Sequence, residues 1–331
     1  MRFDVSLETI EGVETICLRD TETGAAAHIL PQHGGTVWRL ALGCAGRAAA
    51  ARPAPVLEAD APGELAANPG FRGRLLIPFN DRIPGGRYQF GGADYELPVN
   101  EPDSGCAVHG LVYDKPFSEN FREADDSRAF LQLSYRLVPD ISPGYPFALL
   151  VTAGYHLRAE RFELRLGVKN EGAAPAPVTM GWHPYIATPA GADEARITCP
   201  AERFVEVDRD LLPTGNLPPV SDGPLDYGQP RRVGAREMDI ALERGGGSEA
   251  GAARPATTRT TVERGDDAVV LEQSLPPFRY TQLYIPPQRT SIAVEPVTAA
   301  TDAFNRPELG LRRLGPGERI DGKVSVRREK R

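Results

Sequence analysis

Glycine and proline punctuate this chain from one end to the other, and their spacing constrains the fold more than any other feature. The 331 residues include 34 glycines and 31 prolines, spread along the whole length rather than pooled in linkers. Between them lie short runs in which apolar and polar residues alternate. Alternation with period two, bounded by turn formers, marks antiparallel strands; an amphipathic helix would place apolar residues at three- and four-residue steps. Phe3 to Leu7, Glu14 to Arg19, Ala26 to Leu30 and Thr36 to Leu42 predict the first strands. Arg74 to Pro78 reads as a buried strand, and Tyr88 to Phe90 with Tyr95 to Leu97 as a hairpin around Gly91 and Gly92. Alternation is clearest over Ala129 to Leu137, Ala148 to Leu157 and Arg161 to Lys169, and it resumes in the runs from Val269 onward. Consecutive long strands of this kind form one large antiparallel sheet packed against another. The expected fold class is therefore all-β, a large antiparallel β-sandwich forming a single domain over residues 1–331. Two stretches break the pattern: 44–70, rich in Ala, Pro and Gly, reads as a surface excursion. Residues 245–261, Gly/Ala/Thr-rich, read as a hairpin tip or insertion.

Composition narrows the function. Hydrophobic content of 41% with 25% charged residues is that of a globular protein, and a formal net charge of -7 argues against nucleic acid as a partner. No segment approaches the ~20 consecutive apolar residues that span a bilayer, and the N-terminus lacks the apolar core of a signal peptide. Cys17, Cys44, Cys106 and Cys199 are scattered without CxxC or metal-ligand spacing, as reduced thiols in a cytoplasmic protein would be. The expectation is a cytoplasmic monomer or homodimer acting on a small molecule, with neither nucleic acid nor membrane as partner.

Three pieces carry chemistry. His109 precedes Gly110, which lets the backbone approach a ligand or take an unusual φ; alone, a His-Gly pair is weak, and His33-Gly34-Gly35 is a decoy. His28 and His156 lie inside alternating runs, where a hydrogen-bonded structural role is the default. Gly181-Trp182-His183-Pro184-Tyr185 sets an imidazole between two aromatics, and Pro184 implies a strand end. Aromatic faces beside polar groups suit the C–H face of a sugar; an aromatic corner of the core reads equally well. Glu295 closes the apolar run Ser291 to Val294, where burial would raise its pKa; a rim carboxylate paired to an arginine is the plainer reading. Two histidines and a glutamate also make a metal set, although no HxH, HxxxH or HxxE pairing is present.

Taken in order, these pieces resemble the aldose 1-epimerase (galactose mutarotase) family. Asp81-Arg82-Ile83-Pro84-Gly85 with Phe90-Gly91 is similar to the family's Asn-Arg-Ile block, and His109-Gly110 follows at the family's place for a His-Gly pair. His183-Pro184-Tyr185 resembles the second family histidine motif, Val294-Glu295-Pro296 with Asp302 to Asn305 the glutamate block, and Gly315-Pro316-Gly317-Glu318 the closing turn. Asp81 stands where the family more often has Asn, Asn80 is displaced by one position, and Leu111 replaces a second glycine. These departures mark a divergent member.

The resemblance implies the galactose mutarotase-like supersandwich and a mutarotase that opens a sugar ring without a cofactor or metal. Glu295 is implied as base on the anomeric hydroxyl, and His183 as acid at the ring oxygen, its pKa raised by the nearby carboxylate. His109 is implied to polarise the sugar, and Arg82, Asp81, Asp239, Trp182 and Tyr185 to bind it; both proton roles reverse on ring closure. Three rivals stand beside this reading: a non-catalytic sugar-binding sandwich, a metal-dependent sugar isomerase or lyase, and a hexose-6-phosphate 1-epimerase using Arg72, Arg74 or Arg87 for the phosphate.

Overall fold

The computed structural model describes residues 1–45, 52–245 and 257–331. Among them there is no α-helix; the helical pieces are single 3-10 turns such as Pro62–Glu64. Among the described residues the strands gather into a 10-stranded sheet, a 7-stranded sheet, a 5-stranded sheet and three two-stranded ladders, and every pairing between strands is antiparallel except that of Cys44–Ala45 with Arg319–Lys330. The all-β expectation is met.

The 5-stranded sheet takes the N-terminal strands Phe3–Ile10, Val13–Asp20, Ala26–Leu30 and Thr36–Leu42 in sequence order. The 10-stranded sheet is built on Ala129–Leu137, Leu149–Arg158 and Arg161–Asn170, which pair in succession, with Arg319–Lys330 beside the last. Their alternation is visible in burial: Ala129, Leu131 and Leu133 are buried while Phe130, Gln132 and Ser134 are only half-buried. The 7-stranded sheet includes Asp239–Glu243, Tyr280–Tyr284, Ser291–Val297 and Gly181–Trp182 as neighbours in that order. The main core includes Tyr155, Phe162 and Val326 from the first of these large sheets and Trp182, Leu283 and Val294 from the second.

Some expectations need correcting. The buried run at Arg74 to Pro78 yields only the short strand Leu75–Leu76, after which Ile77 makes one parallel bridge to Gly110. Within 44–70, Cys44–Ala45 and Ala54–Pro55 are short strands, and 46–51 lies outside the described residues. The strands that flank 245–261 do not pair with each other as a hairpin would. The last residues of that stretch belong to the strand Thr257–Arg264 of the 10-stranded sheet, whereas the strand before it, Asp239–Glu243, belongs to the 7-stranded sheet. The segment passes from one sheet to another, which strand-like sequence on both sides cannot reveal; 246–256 lies outside the described residues. No described helix is long and apolar enough to cross a membrane.

Candidate active site

Cross-strand register decides which side chains meet. In the 7-stranded sheet Gln282 stands opposite Glu295, Asp239 opposite Tyr284, and Tyr284 opposite Ala293, which is itself opposite Tyr185. Because side chains alternate between faces, Gln282, Tyr284, Glu295, Asp239, Tyr185 and His183 share one face. Leu283, Val294, Ile292, Ile186 and Trp182 share the other, and all five are buried in the core. The first set lines a pocket completed by Asp81, Arg82, Glu101, His109 and the Pro69, Gly70, Phe71 segment.

Trp182 is therefore not a sugar platform. Its indole is fully buried, donates to the Gly73 carbonyl at 3.2 Å and packs near Phe162. Being one residue from His183 in an extended segment sends it to the opposite face. Tyr185, two residues on, does line the pocket, its ring stacked parallel to the His183 imidazole at 4.9 Å between centroids. Pro184 lies between the short strands Gly181–Trp182 and Tyr185–Ala187, the strand end that its missing N–H requires.

His109 and Asp81 flank the ladder formed by Arg82–Pro84 and Cys106–Val108. Both hold left-handed backbone, φ 63° and 62°, a conformation uncommon outside glycine. Each secures the other: the His109 amide donates to the Asp81 carbonyl, and the Asp81 amide donates to His109 Nδ1, both at 3.2 Å. With Nδ1 accepting, the neutral ring carries its proton on Nε2. Gly110 takes the unusual φ that its sequence allows, 89°, and a Cβ there would lie 2.2 Å from the Ile77 carbonyl oxygen, so it also makes room for the neighbouring backbone.

At the pocket floor His183 Nε2 lies 3.5 Å from Glu295 Oε1, with both side chains almost wholly buried. The His109 ring meets His183 edge-on at 5.1 Å, and Phe71 meets His109 at 4.6 Å. Arg82 is the hub of the charged wall. Its Nε donates to Glu101 at 2.9 Å, and its Nη1 lies 3.4 Å from Asp81 and 3.6 Å from Asp239. Asp81 also accepts from the Thr301 hydroxyl, and Asp239 from the Gln282 amide at 2.6 Å.

This packing sets the proton affinities. Burial, with Asp81 and Asp239 adding to it, pushes Glu295 well above the usual carboxylate range. Burial, with His109 adding to it, holds His183 well below an ordinary imidazole. The expectation that the neighbouring carboxylate raises His183 is thus reversed: desolvation outweighs the contact and favours the neutral form of both partners. Burial also lowers His109 to about 4, against the opposing pull of Asp81. Asp239 rises to about 6 through burial and the nearby Asp81. Burial disfavours the Arg82 cation, but Asp81, Asp239 and Glu101 outweigh it and hold it firmly charged.

The aldose 1-epimerase family model matches residues 16–327. The chain belongs to the aldose 1-epimerase family. YihR of Escherichia coli K12, itself uncharacterized, is 29% identical over 239 residues, covering 70% of this chain and 71% of that protein. Galactose mutarotase of Mus musculus is 29% identical over 191 residues, 56% of this chain and only 53% of the mouse protein. Among solved structures, a galactose mutarotase-like protein from Clostridium acetobutylicum superposes with a TM-score of 0.84 at 18% identity, covering 100% of this chain and 99% of that one. These likenesses agree with the galactose mutarotase-like fold, and family membership supports an epimerase-type enzyme.

Seven of the eight residues singled out in the sequence of this family member converge on the pocket: Glu295, His183, His109, Arg82, Asp81, Asp239 and Tyr185. His33 stays outside it as a turn residue whose carbonyl accepts from Arg74. Six lining residues went unrecognised: Gln282, Tyr284, Glu101, Pro69, Gly70 and Phe71. Gln282 and Tyr284 are neutral polar-tipped residues two apart in one strand, and only the register shows that they belong with Glu295. Glu101 and Phe71 arrive on irregular segments that carry no period. None of the arginines named for a phosphate lines the pocket, although Arg72 lies over the ring of Tyr185, which does. Arg74 is buried and donates to Asn68 and to the Leu65, His33 and Tyr113 carbonyls. Arg72 pairs with Asp60 and Glu58, and the exposed Arg87 with Glu96.

Proposed function

We propose that this protein is a mutarotase interconverting the α and β anomers of a neutral sugar, with Glu295 and His183 as its proton-transferring pair. The observation that carries the reading is the buried 3.5 Å contact between His183 Nε2 and Glu295 Oε1, beneath a pocket rimmed by hydrogen-bonding groups. Such a pair, sharing one proton, has two arrangements: carboxylate with imidazolium, or carboxylic acid with neutral imidazole. Ring opening converts the first into the second. Glu295 takes the proton of the anomeric hydroxyl, the C1–O5 bond breaks as the C1 carbonyl forms, and His183 delivers its proton to O5. Rotation about C1–C2 presents the other carbonyl face, and closure reverses both transfers. Burial favours the neutral arrangement, the one that accompanies the open-chain aldehyde, so desolvation of the pair assists ring opening. Neutral His109, with its proton on Nε2, offers a hydrogen bond to a sugar oxygen, and Arg82, Asp81, Asp239 and Tyr185 hold ring hydroxyls.

The wall charge favours a neutral substrate. Asp81, Glu101 and Asp239 outnumber Arg82 among the charged lining residues, and like charge repels a phosphorylated sugar. The test is polarimetry of freshly dissolved α-anomers of glucose, galactose, arabinose, a deoxysugar and glucose 6-phosphate, with wild type, Glu295→Gln and His183→Asn. Acceleration for a neutral sugar, lost in both variants, supports the reading. Binding without acceleration would instead favour a sugar-binding protein, and acceleration confined to glucose 6-phosphate would overturn the neutral-substrate assignment.

A further inference from the structure

On the outer side of the 5-stranded sheet three side chains with metal-binding atoms come together, one from each of three consecutive strands. Cys17 stands directly opposite His28 on one side and Ser6 on the other, and Glu8 is two residues beyond Ser6. Alternation puts Glu8, Cys17 and His28 on one face. One ligand atom from each lies within 4.8 Å of the other two, and His28 Nε2 is 3.4 Å from Glu8 Oε2. A tetrahedral ion with bonds of about 2.0–2.3 Å spaces its ligands at about 3.3–3.8 Å, so closure requires only small side-chain shifts.

Two further observations point to a ligand. Arg19 Nη2 donates to Glu8 Oε1 at 2.7 Å, which fixes the carboxylate and leaves Oε2 turned toward His28. A hydrogen bond to the non-ligating oxygen is how metal-binding carboxylates are oriented. The His28 ring is not held by a complete hydrogen-bond set, for its Nδ1 is buried without a partner among the described residues. The other nearby cation, Arg39, is engaged by Glu11 at 2.8 Å.

We propose that Glu8, Cys17 and His28 form a binding site for a divalent borderline metal ion of the zinc type, with its fourth position open to solvent or an added ligand. One thiolate, one carboxylate and one imidazole give a neutral complex with a dication, and mixed sulfur, nitrogen and oxygen donors suit zinc over magnesium or calcium. The Cys17 thiol releases its proton as the Cys17 sulfur–metal bond forms. The ion would pin the edge strand Phe3–Ile10 to the two strands behind it. The site is separate from the sugar pocket and does not depend on the reading of that pocket.

Cobalt(II) is the probe, because its thiolate complexes absorb in the near ultraviolet. Reduced, metal-free protein titrated with cobalt(II) should give a thiolate charge-transfer band saturating at one ion per chain and displaced by zinc. The band should vanish in Cys17→Ser, and apparent affinity should fall by more than about tenfold, the least that losing a ligand's hydrogen-bond partner costs, in His28→Asn and Glu8→Gln. His183→Asn should leave it unchanged. Because Cys17 is fully buried, Glu8→Gln at the sheet surface is the variant that tests the site with the fold intact. Absence of a thiolate band, its survival in Cys17→Ser, unchanged affinity in Glu8→Gln, or its loss in His183→Asn would each overturn the proposal.

Discussion

The protonation of His109 can be tested through stability alone. Its imidazole pKa falls from an ordinary 6.5 to about 4, chiefly because burial penalises the cation. The unfolded chain takes up a proton near pH 6.5 that the folded chain refuses until about pH 4. The folded-state pKa being the lower, this contribution is complete above the unfolded value and is lost as pH falls toward the folded one. At about 1.4 kcal/mol per unit, lowering the pH from about 7 to about 4.5 removes roughly 2 kcal/mol through this residue. The perturbation is His109→Asn. Asn Oδ1 replaces Nδ1 as acceptor for the Asp81 amide, Asn tolerates the left-handed backbone that His109 holds, and it does not titrate. Urea unfolding of both proteins at the two pH values, in the absence of sugar, isolates the effect from the other histidines. The wild type should lose roughly 2 kcal/mol more than the variant between the two conditions. Equal losses would mean that His109 exchanges its proton freely in the folded state, and its role as a neutral Nε2–H donor would fall.

Four other outcomes follow from the same geometry. Glu295→Gln and His183→Asn should each slow anomer exchange by about 10²–10⁴-fold, with the double variant little worse than either single one because the two share one proton; additive losses in polarimetry would refute the pair. The pH–rate profile should be bell-shaped: acid adds a second proton to a pair whose histidine is depressed, and base removes the last proton from a pair whose glutamate is raised. Asp239→Asn should abolish any inflection near its value of about 6, and an inflection that persists would belong to another group. Trp182→Ala should cost about 3–5 kcal/mol of stability, while Trp182→Phe, measured where it is folded, should leave KM within about twofold; a larger change in KM would return Trp182 to the pocket.

How far the sequence could be read depended on whether an observation was periodic. Alternation foresaw the long strands Ala129–Leu137 and Arg161–Asn170 and hence the sheets that hold the core. The same alternation, applied to Trp182 and His183, would have separated the core residue from the pocket residue, but the attraction of an aromatic for a sugar face overrode it. Glu295 was legible because a carboxylate ending an apolar run needs a reason to be buried. Gln282 and Tyr284 were not, since neutral polar residues in a strand give no such warning until the register with Glu295 and Asp239 is known. The proton affinity of His183 was misjudged for a related reason: sequence supplies the neighbour but not the desolvation. Similarly, Cys17 looks isolated beside Cys44, Cys106 and Cys199 because Glu8 and His28 reach it across strands.

The proton pair stands on a sheet, whereas much of the wall around it does not. Glu295 and Tyr185 lie on hydrogen-bonded strands and His183 lies between two such strands, while Pro69, Gly70 and Phe71 come from irregular backbone and Glu101 from a single isolated bridge. Chemistry and selectivity are thereby separable in inheritance. Insertions or substitutions around 69–71 and 101 can recut the pocket for a different sugar while the reacting groups keep their spacing. A laboratory library randomised at those positions alone should yield altered sugar preference at a much higher frequency than one spread over the strands.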